Sequence, residues 1–389
     1  MNHQSKCMPM EIFGLIAAES SDEVLKNIRL TCHAGREIAT PLLFKCFKVQ
    51  AINCHTLKRL QEVARRPQLA CFVKKFEYQP RIRTSSHGNE ICVLILERRL
   101  TFLDDDERRQ LTEQNNVLAS SAFAGALVAA LKSFTQLGHV ELQYPPFGMR
   151  RECNSRGLCV LAEMIRNIIS NICPRLVSLS IAGLLLVDIP QNLLQATGDD
   201  MGAALTTVER LDLDFHPGDM PSGEMMRIKP DGLRRMLSLV PNLTSLRIKF
   251  HLLDRSMRSF DWSVLQCNKL NTLELVQLEM SETSLMNMMT QNAHSIRKLI
   301  LEGVYLFDGT WAAIYDRIAN TEGINDISQV QGRRYSDGHG SHTELDTASY
   351  RRLFATVEKR RESQGLPSTK WPTSRLGFVM SSRFFVYGN

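Results

Sequence analysis

No two cysteines in the chain are spaced Cys-x-x-Cys, and the ten that are present are scattered along 389 residues. This excludes the familiar paired zinc and thioredoxin-like patterns and predicts reduced, mostly buried thiols. Long apolar runs are missing too. None reaches the roughly eighteen residues a membrane span needs, and the amino terminus has no basic region followed by a continuous apolar core. The chain is therefore expected in the cytosol or nucleus, with no membrane partner. Catalytic signatures are absent: no Gly-x-Ser-x-Gly, no His-Glu-x-x-His and no Walker-type phosphate loop occurs. A strong charge bias is also lacking. The net charge of +6 is mild and spread out, which argues against nucleic acid as a partner. The densest basic group of the first third is Lys74-Lys75 with Arg81 and Arg83, and it flanks Phe76 and Tyr78 in a way that reads as a strand rather than a stacking platform.

Three clusters imitate sites. His339 and His342 lie close to Asp337 and Glu344, a set able to hold a divalent metal, but no cysteine is near and His-x-x-His alone fits poorly on one helix face. A polar loop is the plainer reading. Cys153, Cys159 and Cys173 match no zinc spacing, so they read as small buried thiols. Asp212 and Asp214 resemble a carboxylate pair, yet alternation along a strand places any two such residues on one face. No cofactor, metal or catalytic residue is assigned, and the chain is expected not to be an enzyme.

The amino-terminal segment carries more apolar side chains than so short a piece can bury. Met8-Pro9-Met10-Glu11-Ile12 opens a helix with Pro9 in its first turn, and Ile12, Phe13, Ile16 and Ala17 share one face. Ser20 with Glu23 has the form of a capping box for a second helix, striped by Val24, Leu25, Ile28 and Cys32. Thr40-Pro41 is read as restarting a third, containing Leu42, Leu43 and Phe44. A unit of about forty residues is marginal alone, so its exposed apolar face predicts a partner surface.

From Met8 to about Phe47 this segment resembles an F-box, in the version that opens many fungal F-box proteins with leucine-rich repeats. The resemblance rests on Met8-Pro9-x-Glu11-Ile12, on Leu25-Lys26-Asn27-Ile28-Arg29-Leu30 with Cys32, and on Arg36-Glu37-Ile38-Ala39-Thr40-Pro41-Leu42-Leu43-Phe44. Thr31 and Gly35 depart from the family pattern, which prefers a small apolar residue and an aromatic there. The resemblance implies docking on the Skp-type adaptor of an SCF ubiquitin ligase, and through it on a cullin. It assigns Met8, Pro9, Ile12, Ile16, Leu25, Leu30 and Cys32 to adaptor contact, or to holding the contacting helices.

The largest part of the chain is periodic. Leu-x-x-Leu-x-Leu patterns recur at Leu137/Val140/Leu142, Leu176/Leu179/Ile181, Val208/Leu211/Leu213, Leu243/Leu246/Ile248, Leu270/Leu273/Leu275 and Ile296/Leu299/Leu301, with Val73/Phe76/Tyr78 as an earlier outlier. The steps are 39, 32, 35, 27 and 26 residues. The last two fall inside the usual leucine-rich window, and the others read as lengthened by insertions. Helical stripes lie between, at Leu158 to Ile172, Leu233 to Val240, Leu285 to Met289 and Trp311 to Ile318. Units of this kind resemble leucine-rich repeats, although the family's asparagine after the strand is largely missing. The expected fold is α/β, a three-helix F-box followed by an irregular solenoid with parallel strands inside and helices outside. The expected division is a helical domain over 8–47, a solenoid over 70–320, a polar mobile loop over 325–349 and a capping helix with tail over 350–389. Asp104 to Ser133 reads as an additional helix.

Alternation places Arg210, Asp212 and Asp214, then Ser245, Arg247 and Lys249, then Thr272, Glu274 and Val276, then Lys298, Ile300 and Glu302 on the inner face. In-register pairing makes Asp212, Arg247 and Glu274 one row of alternating sign, with Asp214 beside Lys249. The row is either structural or a grip on a partner. Asp212, Asp214, Arg247, Lys249, Glu274 and Lys298 are the expected target-binding residues, because such solenoids generally bind on that face. The function expected is recruitment of a protein target to the ligase. Two other readings stay open: a leucine-rich interaction scaffold whose F-box-like helices only cap it, and, further off, a hydrolase with a site at His339.

Overall fold

In the computed structural model the described residues are 9–50, 53–79, 81–83, 90–92, 105, 109, 121–143, 176–185, 205–216, 233, 236–250, 262, 265, 267–334 and 347–368. Three helices come first: α1 (Met10–Ala18), α2 (Asp22–Thr31) and α3 (His33–Phe44). Strand β1 (Cys46–Val49) follows directly, starting inside the range expected to be helical, and α4 (Cys54–Ala64) and α5 (Pro67–Ala70) lead into β2 (Lys75–Tyr78). A small hairpin, β3 (Arg81–Arg83) with β4 (Glu90–Cys92), is antiparallel and separate. Then come α6 (Ser121–Ser133), β5 (His139–Gln143), β6 (Ser178–Leu185), β7 (Arg210–His216), β8 (Ser245–Phe250), β9 (Thr272–Val276) and β10 (Glu279–Ser281). The last described elements are α7 (Glu282–Gln291), β11 (Lys298–Asp308), α8 (Trp311–Asn320), β12 (Asp326–Arg334) and α9 (Thr347–Ser363).

Ten strands form one sheet in which every pairing is parallel, in the order β1, β2, β5, β6, β7, β8, β9, β11, with β10 beside β11 and β12 on its other edge. Parallel pairing requires a crossover between paired strands, as α7 supplies between β10 and β11 and α8 between β11 and β12. The fold is α/β, and this one-way ladder is compatible with a solenoid. All seven apolar triplets read from the sequence are buried, from Val73, Phe76 and Tyr78 through Ile296, Leu299 and Leu301, and they form one continuous core.

One backbone junction repeats at every step. The carbonyl just before each strand accepts two consecutive N–H groups from the entry to the next: Lys45 from Lys74 and Lys75, Lys74 from Gly138 and His139, Gly138 from Val177 and Ser178, and Val177 from Glu209 and Arg210. The series continues through Glu209, Thr244, Asn271 and Arg297, with all distances between 2.8 and 3.1 Å. The uneven repeat lengths therefore leave the strand starts aligned; extra residues lie elsewhere in each unit. Side chains reinforce the joint. Thr207 Oγ1 donates to the Leu176 carbonyl, Asn242 Nδ2 to the Thr206 carbonyl, and buried Asn292 donates to the Leu265 and Met288 carbonyls while accepting from the Cys267 N–H.

Several local expectations are corrected. Helix α3 is continuous through Pro41 rather than restarting there. Proline forgoes one intrahelical bond at a cost of about 3 kcal/mol, which the packing of Ala39, Leu42 and Leu43 against α1 and α2 offsets. The cap of α2 is Ser21, whose hydroxyl accepts from Val24 N–H, while Ser20 donates back to the Ile16 carbonyl and closes α1. Pro9 is the N-cap of α1 rather than its first residue. Asp326–Arg334, inside the segment expected to be a loop, is strand β12, held by pairing with β11 and anchored by buried Ile327.

The far end is closed by α9, whose Leu353 and Val357 are buried and whose Tyr350 meets Tyr315 edge-on at 5.4 Å. Arg360 donates to the Ala319, Thr321 and Ile324 carbonyls, satisfying groups that the end of α8 leaves open. Of the expected Asp104–Ser133 helix, Ser121–Ser133 is helical, and Ser281 caps α7 as its spacing suggested. The stripe from Leu158 to Ile172, the His339 cluster and the tail beyond 368 lie outside the described residues.

Candidate docking surface and polar face

Among the described residues helices α1 to α3 share a core of Ala17, Leu25 and Ala39, with Ile28, Ile38, Leu42 and Leu43 packed partly against it. So small a core leaves apolar side chains over. Met10, Ile12, Leu15 and Ile16 on α1 and Val24 and Leu30 on α2 are exposed, Leu15 by 66% and Leu30 by 82%. Large apolar groups left outside a core in this number make the helical segment the candidate interaction surface. Of the residues expected at the adaptor, Pro9, Ile12, Ile16, Leu30 and Cys32 are exposed. Leu25 is buried, so its part is to hold the helices, and Met8 lies outside the described residues. Met10, Leu15 and Val24 are not among the residues assigned to adaptor contact, although Val24 is read in the stripe of the second helix and Leu15 stands three residues from Ile12.

Thr31 and Gly35 pack together. A Cβ at Gly35 would collide with the Ile28 carbonyl and sit 3.1 Å from Thr31 Oγ1. Thr31 in turn donates to that Ile28 carbonyl at 2.7 Å. Cys32 caps α3, its sulfur accepting from Gly35 N–H at 3.2 Å, and this bond, with Thr31, lowers its thiol pKa. Arg29 lies over the Phe44 ring, 5.7 Å from its centre. Lys45, the C-cap of α3, also supplies the first junction carbonyl of the sheet. The helices thus run into the ladder with no intervening linker.

The polar face of the sheet carries the alternating row expected from sequence. Asp212, Arg247 and Glu274 stand opposite one another in register, and Asp214 opposes Lys249. Arg247 Nε donates to Glu274 Oε1 at 2.7 Å, and its Nη1 reaches Asp212 Oδ2 at 3.3 Å. Lys249 stands 3.5 Å from Asp214, and Lys298 3.4 Å from Asp326. The six residues expected to bind a target therefore pair among themselves and with Asp326. Burial raises the Asp212 carboxyl above its ordinary value, with Asp214 and Glu274 adding repulsion that Arg247 does not cancel. Burial alone would lower Arg247, yet its two carboxylates hold it above normal. Both directions are consistent: Arg247 is held by two carboxylates, whereas Asp212 has one cation set against its burial and two neighbouring acids.

A second charged group went unread in the sequence. Glu77, 7% exposed, takes Lys75 at 2.6 Å and Lys48 at 3.3 Å, and Lys75 also reaches Glu141 at 2.9 Å. Burial opposes ionisation of Glu77, but the Lys75 and Cys46 hydrogen bonds outweigh it and keep the carboxyl below its usual range. The neighbouring Cys46 thiol is pushed up to about 12 by burial and by the Glu77 charge, which keeps it a protonated donor and a poor nucleophile. The same in-register count applied to Lys48, Lys75, Glu77 and Glu141 from the outlying first triplet finds this group.

Among the described residues no group of three or more His, Cys, Asp and Glu is placed to hold a metal ion, and no described helix is long and apolar enough to cross a membrane. Cys153, Cys159, Cys173, His339 and His342 lie outside the described residues. The chain matches no protein-family model and no curated protein.

Proposed function

We propose that the chain is a substrate-recruiting subunit of an SCF-type ubiquitin ligase, with α1 to α3 an F-box that docks on the Skp-type adaptor and the repeats a leucine-rich solenoid whose polar face receives a protein target. The observation that carries this reading is the apolar surface of Met10, Ile12, Leu15, Ile16, Val24 and Leu30, left over by a core too small to bury it. The junction at Lys45, which joins α3 directly to the sheet, supports this reading because a docked adaptor and a target on the ladder would be held by one continuous body. The chain itself performs no bond chemistry in this scheme; the cullin is reached through the adaptor, in cytosol or nucleus.

The experiment is co-purification of the full chain with a Skp-type adaptor and a cullin. Recovery of both at stoichiometric level is the expected result. A chain that recovers protein partners without the adaptor is a leucine-rich scaffold with a helical cap, a reading favoured by the departures at Thr31, which ends α2 beside Leu30, and at Gly35 in the first turn of α3.

A further inference from the structure

Two consecutive arginines in the last turns of α9 tie that helix to the end of the repeats, and an exposed serine follows them. Arg360 donates to the Ala319, Thr321 and Ile324 carbonyls, at and just past the end of α8. Arg361 donates to the Asn325 carbonyl at 2.8 Å and, through Nε and Nη2, to the Pro367 carbonyl at 3.0 and 2.6 Å. The helix then closes in a tight turn. Gly365, at φ +68°, donates to the Glu362 carbonyl, and the Leu366 N–H donates to the Arg361 carbonyl. Ser363 stands in this final turn, exposed, with its hydroxyl donating to the Arg360 carbonyl at 2.7 Å.

Arg360-Arg361-Glu362-Ser363 has the order Arg-Arg-x-Ser, a charge pattern of the kind by which kinases select a hydroxyl. The same order occurs at Arg333-Arg334-Tyr335-Ser336 and, with threonine, at Arg98-Arg99-Leu100-Thr101, but the hydroxyl residues of both lie outside the described residues. What distinguishes Ser363 is its place. It lies at a helix end, where local opening costs least, and the two arginines beside it are the ones that hold the helix down.

We infer that Ser363 is a phosphorylation site for an arginine-directed serine kinase, and that phosphate there releases the end of α9 from the last repeat. The transfer breaks the Ser363 Oγ–H bond and the bond from the γ-phosphorus of ATP to its bridging oxygen, forms Oγ–P, and releases ADP and a proton. The product carries about −1.5 to −2 charges and three acceptor oxygens. Negative charge is unfavourable at a helix C-terminus, and Glu362 beside it adds repulsion. Residues three apart share a helix face, so the phosphate competes for Arg360, offering a full charge where Ala319, Thr321 and Ile324 offer carbonyl dipoles. Burial lowers the Arg360 pKa, and Glu322 opposes this only in part, so a phosphate draws that cation outward.

Buried Leu353 and Val357 keep the earlier turns of α9 in place. The part that loosens is the tie to Asn325, whose N–H, with that of Asp326, closes the last strand junction on the Arg297 carbonyl. Asp326 in turn pairs with Lys298 at 3.4 Å on the polar face. Modification and release need neither adaptor nor target; only their effect on a bound target rests on the reading that the polar face receives one.

The test incubates the folded full chain, and Ser363→Ala in parallel, with magnesium ATP and the catalytic subunit of an arginine-directed serine kinase. Peptide mass spectrometry reads the modified positions, and hydrogen exchange reads the amides. Ser363 is exposed, and matching exchange before treatment establishes that the variant is folded. The expected result is phosphate on Ser363 of the native chain, with exchange at Ile324, Asn325 and Asp326 accelerated at least tenfold and exchange at Ser245 and Thr272 changed less than twofold. The treated variant should keep slow exchange at all five. No phosphate on Ser363 of the folded chain, phosphate there without faster exchange at those three amides, or equal acceleration in the variant would overturn the inference. Adaptor binding, measured separately, bears on none of these outcomes.

Discussion

Replacing Arg247 by Met removes the charge while keeping most of the stem that packs along the sheet. Two contacts disappear, at 2.7 Å to Glu274 and 3.3 Å to Asp212, among side chains 35%, 24% and 26% exposed. Hydrogen bonds to charged groups are worth about 1.5–3 kcal/mol when well shielded, and exposed ion pairs about 0–1 kcal/mol. Arg247 lies between these regimes, so the expected loss is about 1–2 kcal/mol. Leu246, fully buried one residue away, provides the internal scale: Leu246→Ala should cost about 2–5 kcal/mol. Asp212→Asn makes the sharper test. A carboxyl whose folded pKa is raised contributes stability that is present below its unfolded value and lost as pH rises through the folded one. At neutral pH, Asp212→Asn should thus leave stability within about 0.5 kcal/mol of the unmodified chain or raise it, and it should recover part of the loss in Arg247→Met. Urea unfolding followed by far-ultraviolet dichroism measures all four variants. An Arg247→Met loss equal to that of Leu246→Ala, or an Asp212→Asn loss above about 1 kcal/mol, would refute the argument.

Three further outcomes are expected. Gly35→Ala should destabilise the helical segment by about 1–3 kcal/mol, as overpacking does, because its new methyl meets the Ile28 carbonyl; proteolysis between α1 and β1 should accelerate while the sheet remains protected, and unchanged cleavage contradicts the packing. Asn292→Ala leaves the Cys267 N–H and the Leu265 carbonyl buried without their partner, so a loss of about 2–4 kcal/mol is expected from two unsatisfied groups, and a loss under about 0.5 kcal/mol contradicts the tie. Glu77 has a depressed folded pKa, so its stabilisation is present above the ordinary carboxylate value and lost as pH falls through the lower one; Glu77→Gln should lower stability at neutral pH and flatten the acid limb of the stability curve, and an unchanged limb contradicts the Lys75 pairing.

The sheet was legible because two signals agreed. Leu246 and Leu273 follow the repeat, and Arg247 and Glu274 follow the alternation, so register and burial came from the same residues. Where a signal stood alone it misled. Pro41 indicates a break only if local backbone cost outweighs packing, and α3 is held along its length by α1 and α2. Strand β12 is polar enough to read as a loop, yet an edge strand needs little more than Ile327 and a backbone partner. The difference between Ser20 and Ser21 as caps is one residue of chain exit from α1, which composition does not encode. At the helical segment the stripe was legible, but its buried and exposed members were not. Leu25 faces Ala17 and Ala39, whereas Leu30, on the same helix, faces outward, and only the helix crossing decides that.

The central claim is that the face around Ile12, Leu15 and Leu30 docks on a Skp-type adaptor. Its most direct measurement is a titration of the purified full chain with purified adaptor, for the unmodified protein and for Ile12→Asp with Leu30→Asp. Both side chains are already exposed, so the variant should unfold within about 0.5 kcal/mol of the unmodified chain. The account predicts saturable binding by the unmodified chain and at least a hundredfold weaker binding by the variant, since losing two buried apolar anchors costs about 2 kcal/mol or more at each. No binding by the unmodified chain, or equal binding by both, would contradict it.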